Sequence, residues 1–114
     1  MTNYVDFPEA DWKTLRNIKE TLLQRASTRA LERVDKIIAS READPHKSYL
    51  ELWRVLRDED KAIGRMFDDL RRSNARLKLA EMIRNKLLTQ EEITAFTTDT
   101  RDRMIEMSGA NQAL

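Results

Sequence analysis

Apolar residues recur at helical spacing along most of this chain, with polar residues filling the positions between them. The first run reads Trp12, Leu15, Ile18, Leu22, Ala26, Ala30, Val34 and Ile37, flanked by Leu23, Leu31 and Ile38. Steps of three and four put such residues on one side of an α-helix. Asp6-Phe7-Pro8-Glu9 predicts where it starts: Asp6 as cap, Glu9 three residues on, and proline in the first turn. The face then continues to about Ser40.

The stretch Asp44–Leu70 carries the clearest pattern and is the one around which the rest is expected to be organised. Asp44-Pro45 is a helix start, because proline at the first helical position loses no intrahelical hydrogen bond. Tyr49, Trp53, Leu56, Ile63, Phe67 and Leu70 form one predicted core stripe, widened by Leu52 and Met66. Asp60 falls on that stripe, where a carboxylate is unexpected. Either the helix drifts off a seven-residue repeat and Asp60 sits at the edge, or the acid pairs with a cation in a helix interface. Gly64 lies inside the same helix at a cost of about 1 kcal/mol relative to alanine. It marks either the close approach of a neighbouring helix or a tolerated surface position.

Beyond Leu70 the spacing resumes at Leu77, Ala80, Ile83 and Leu87, which predicts a kinked or briefly interrupted helix reaching Leu88. Thr89-Gln90-Glu91-Glu92 reads as a capping box. A last helix is expected after it, with Ile93, Phe96, Met104 and Met107 facing inward and Ser108-Gly109 ending it. Thr97, Thr98 and Thr100 make its middle a weak helix former. Residues 1–5 and 110–114 are expected to be disordered ends of a single domain spanning residues 1–114.

The lengths bear on how the chain assembles. A first helix of roughly 34 residues would be about 50 Å long at 1.5 Å per residue. A compact domain of 114 residues is only about 30–35 Å across. Either the helix bends, near Ser27-Thr28, or the molecule is elongated and leaves apolar surface for a second subunit.

Composition fits this picture. Two glycines and two prolines are too few for a turn-rich β fold, and 36% charged with 6% aromatic residues is typical of amphipathic helices. With no cysteine, thiolate metal sites and cysteine nucleophiles are excluded. The start, MTNYVDFPEADW, has no signal-peptide pattern, and no run approaches the roughly 20 apolar residues of a membrane span. A cytoplasmic location without membrane partners is expected. The net charge of +1 implies no strong overall attraction to nucleic acid.

Four sets of residues invite chemistry. Arg25, Arg29 and Arg33 recur every four residues as a ridge, and with Asp60 they are the candidate partner-binding residues. Arg71, Arg72, Arg76 and Lys78, in the basic stretch 71–86, are the candidates for an alternative nucleic-acid-binding role. The helices either side of Thr89 bear only a loose likeness to a helix-turn-helix, because no glycine marks the turn. The acids Asp58, Glu59, Asp60, Asp68 and Asp69 read as a solvated face rather than a metal site, since the sole histidine, His46, has no inward partner.

Small all-helical chains with several arginines on a long first helix look like the helical chorismate mutases. That resemblance implies a dianion held by arginines, and Arg16 and Arg33 are suitably separated for it. The lysine and late Gln of that family have no match here, and the assignment is not made.

The fold expected from sequence is all-α: a long antiparallel helical hairpin with two shorter C-terminal helices, bundle-like. The expected function is a non-catalytic protein–protein interaction module, homo-oligomeric or bound to another protein, without cofactor or metal. Its alternatives are a nucleic-acid-binding protein and a small all-helical enzyme with an Arg/Asp site.

Overall fold

The computed structural model describes residues 7–109 and is helical throughout its regular structure. Helix α1 spans Glu9–Ala39 and α2 spans Pro45–Phe67. A 3-10 turn at Arg72–Asn74 leads into α3, Ala75–Arg84, followed by α4, Gln90–Thr94, and α5, Thr98–Ser108. The all-α expectation holds. The sequence-predicted Asp6 cap and the loose ends at 1–5 and 110–114 lie outside the described residues.

Helix α1 runs unbroken for 31 residues, about 46 Å at the standard rise. The molecule is correspondingly elongated, with extents of 58 × 30 × 28 Å. Length is thus accommodated by an elongated shape, with α1 continuous through Ser27-Thr28. Residues 40–44 turn the chain, and Asp44 caps α2 by accepting from the Lys47 amide at 3.1 Å, with Pro45 at the first helical position. The two helices run antiparallel: Arg33 of α1 pairs with Glu59 of α2, while Ala26 and Met66 share the core further down.

The predicted helix to Leu88 is interrupted and shorter. It ends at Phe67, and Asp69 takes a left-handed φ of 57°. Asn74 then staples the break: its Oδ1 accepts from the Arg71 amide and its Nδ2 donates to the Asp69 carbonyl, both at 2.8 Å. Helix α3 stops at Arg84 in a Schellman turn. The Leu87 amide reaches the Met82 carbonyl (2.9 Å), the Lys86 amide reaches the Ile83 carbonyl (2.8 Å), and Lys86 sits at φ 55°. Glycine normally occupies that position, so no stop signal is legible there. The expected last helix is two: α4 ends at Thr94, and α5 begins after Thr97.

The cap of α5 comes from elsewhere in the chain. Asp11 on α1 is 1% exposed. Its Oδ1 accepts from the Thr97 amide (2.8 Å), and its Oδ2 accepts from the hydroxyls of Thr97 (2.7 Å) and Thr100 (2.6 Å). Thr97 makes no side-chain cap of its own; its hydroxyl is turned to donate to Asp11. A carboxylate at a helix N-terminus also suits the helix dipole. At the other end, Gly109 adopts φ 76°, and Arg84 donates to the Met107 and Ser108 carbonyls at 3.0 and 3.3 Å.

These connections build one core at the base of the hairpin, from Phe7, Leu15, Leu22, Ala26 and Met66 with Leu79, Met82, Leu87, Phe96 and Met104. Met107, expected inside, is instead 39% exposed. Gly64 does not mark the close approach of a neighbouring helix. A Cβ there would stand 2.8 Å from the Asp68 carboxylate, with no neighbouring helix within 4 Å.

Two stability outcomes follow from this geometry. Asp11→Ala strands a part-buried amide and two hydroxyls, that of Thr100 fully buried, and is expected to cost about 2–3 kcal/mol in urea unfolding; a loss within surface-mutation scatter would contradict the capping role. Lys86→Gly relieves a left-handed lysine and is expected to raise stability by about 1 kcal/mol, read as an increased urea midpoint.

Candidate interaction surface

The hairpin packs along a narrow seam. On α1 the seam is Ala26, Ala30 and Ile37, all buried, with half-buried Val34; on α2 it is Ser48, Leu52, Val55, Glu59 and Ala62, all half-buried, with buried Met66. One residue beyond seam positions come Leu31 and Ile38 on α1, and Tyr49, Trp53 and Leu56 on α2. Each residue turns a helix by about 100°. In an antiparallel pair of right-handed helices, one step toward the C-terminus turns both helices to the same side of the pair. These five residues therefore share one face.

That face is bare. Leu31 is 62% exposed, Ile38 42%, Tyr49 56%, Trp53 54% and Leu56 38%. The core stripe predicted for the central helix is thus corrected in its first half. Tyr49, Trp53 and Leu56 do not enter the core, because the seam runs one position earlier, through Ser48, Leu52 and Val55. Only Ile63, Phe67 and Leu70 pack on the core, half-buried. The described aromatics divide accordingly: Trp12 and Phe67 lie against the core and Phe7 and Phe96 within it, while Tyr49 and Trp53 face outward. Tyr49 is stacked on His46, with centroids 6.2 Å apart and the rings 20° from parallel.

The opposite side of the hairpin carries the residues one step before the seam, and here the C-terminal helices attach. Arg25 makes two parallel bonds to Glu92 (2.8 and 3.0 Å) and a third to the Leu87 carbonyl (2.6 Å). Arg29 donates to the Asn85 carbonyl at 3.2 Å, and Arg33 pairs with Glu59. A cleft on this side is lined by Arg29, Arg33, Asp58, Glu59 and Asn85. The arginine ridge therefore ties the chain to itself.

Asp60, the fourth partner-binding candidate, is exposed and makes no ion pair among the described residues. It stands one turn beyond Leu56, at the edge of the bare face, so the drift reading of its position is the one that fits. Sequence reasoning placed Leu31 and Ile38 only as flanking residues and did not single out Asp11. The signal for Asp11 was the threonine cluster it binds.

The basic stretch is similarly engaged in intramolecular contacts. Arg71 pairs with Asp69 at 2.8 Å, and Arg72 binds Glu9 (2.8 Å) and the Phe7 carbonyl (2.6 Å). The Arg76 guanidinium lies 5.8 Å from the Phe7 ring centroid, and Lys78 donates to the Arg65 carbonyl at 3.0 Å. These side chains fix the start of α1 against α3 and hold the α2–α3 break.

Among the described residues no group of three or more acidic or histidine side chains gathers to hold a metal ion. Asp58 pairs with Arg54, Glu59 with Arg33 and Asp69 with Arg71. No described helix is long and apolar enough to cross a membrane. No protein-family model, curated protein or solved structure matches the chain.

The Arg25–Glu92 clamp has a pH signature. The hydrogen bonds from Arg25, with further help from Thr89, hold the Glu92 carboxyl below its ordinary value of 4.5, while Glu92 raises the Arg25 guanidinium. A carboxyl depressed on folding stabilises the protein above its unfolded value and loses that contribution as pH falls through its folded value. Glu92→Gln keeps the capping box and removes only the charge. Wild type is therefore expected to exceed this variant in stability at neutral pH, with the gap closing as pH drops below 4.5. A gap unchanged down to strong acid would refute the clamp.

Proposed function

We propose that this chain is a non-catalytic helical interaction module, and that the face formed by Leu31, Ile38, Tyr49, Trp53 and Leu56 is its docking surface. The observation that carries this reading is the concentration of exposed large apolar side chains on one side of a two-helix layer. Isolated exposed leucines are ordinary on soluble proteins, whereas a contiguous apolar patch marks a binding surface. Tryptophan and tyrosine at its centre are the residue types that dominate interface energetics.

The support is strengthened by where the patch sits. Both helices are continuous and packed on each other, so their backbones are already ordered for binding. The arginines of the ridge are occupied: Arg25 by Glu92 and Leu87, Arg29 by Asn85, and Arg33 by Glu59. Asp60 lies on the other side of the seam, away from them.

A photo-crosslinking residue installed at Leu56, with the protein expressed in its own host, tests the reading. A discrete adduct is expected that disappears when Trp53→Asp is added, while the same crosslinker at Leu77 gives none. Leu77 is 60% exposed but stands on α3, outside the face. Equal labelling from both positions, or none from Leu56, would remove the proposal.

A further inference from the structure

We propose that the occupant of this face is a second copy of the chain, two hairpins stacking face to face as a four-helix bundle with both C-terminal lobes outside. This rests on the reading of the face as a docking surface. Three features of the molecule select a second copy.

The first is shape. A two-helix layer has two sides, and a helix layer becomes stable by burying its apolar side against another layer. The C-terminal helices attach through Arg25 and Arg29, on the side opposite Leu31 and Trp53, so they do not obstruct stacking. An identical layer is the simplest flat partner of matching length, and helix pairs stacked this way form the common four-helix arrangement.

The second is area. Five apolar side chains, two of them aromatic, leave on the order of 500 Å² bare, the upper end of what monomers expose. With the polar rim, the face approaches the roughly 800 Å² per partner of a standard interface.

The third is charge. One turn from the apolar residues stand Asp35 (after Leu31), Arg57 (after Trp53), Asp60 (after Leu56) and His46 (before Tyr49). All four are exposed, and none makes an ion pair within the described residues. A rim with both acidic and basic groups is self-complementary, whereas a strongly acidic or basic partner would meet like charge. The net charge of +1 gives two copies little to repel them. A membrane surface fits poorly, because interfacial helices carry a basic polar border and this rim holds two aspartates.

Sedimentation velocity over a wide concentration series reads the proposal directly. Wild type is expected to rise from one chain to two with concentration, as is Leu77→Asp, the exposed apolar control outside the face. Leu31→Asp and Trp53→Asp are expected to remain single at every concentration with unchanged helical circular dichroism. Both positions are more than half exposed, so either variant suffices if the other fails to fold.

A folded variant that still pairs would overturn the proposal. Wild type that stays single while Leu56 adducts with another protein persist would overturn the second copy and leave the docking reading standing. Single chains with no Leu56 adducts would remove both.

Discussion

A helix about 46 Å long cannot be covered on both sides and along its whole length by the chain that remains here. After α1 and α2 have formed the hairpin, α3, α4 and α5 supply 10, 5 and 11 helical residues. They build a core at the base of the hairpin and on one side of it. The tip and the other side are left open, and the apolar residues placed there by the sequence have nothing among the described residues to pack on. The elongated shape and the bare face are two consequences of the same shortfall.

What decides which side is covered is a pair of polar anchors. Arg25 grips Glu92, itself the closing residue of the Thr89 capping box, so one side-chain pair both starts α4 and fixes it to α1. Asp11 does the same for α5, supplying from α1 the acceptor that the helix start would otherwise lack. Both anchors use groups at helix N-termini, where amide donors have no intrahelical partners. The lobe is therefore oriented by its caps as well as by its apolar contacts. Its attachment on the Arg25 side leaves the Trp53 side open.

Local signals in the sequence reported the local structure well. Asp44-Pro45, the Thr89–Glu92 box and Gly109 mark helix ends where the structure has them. An interruption after Leu70 was expected, but its place at Asp69 and the stop at Lys86 were not legible, because each uses a left-handed residue that is not glycine and is held by neighbouring hydrogen bonds. The site was less legible than the fold. Periodicity finds an apolar stripe but does not say whether the chain has anything to set against it. Tyr49, Trp53 and Leu56 therefore read as core although they face outward. The true seam, through Ser48, Leu52, Val55 and Glu59, is too polar to stand out beside them. Likewise the spacing of Arg25, Arg29 and Arg33 revealed a ridge, but its partners lie about 60 residues away for Arg25 and Arg29 and 26 away for Arg33.

The most direct test of a hairpin face bare in the single chain and covered on association is the fluorescence of Trp53 in a Trp12→Phe background. The account predicts emission typical of a solvated indole at high dilution, shifting to the blue as concentration rises. An emission maximum typical of a buried indole at every dilution would mean that the chain already covers this face, contradicting the account. A solvated spectrum that never shifts would contradict association through it.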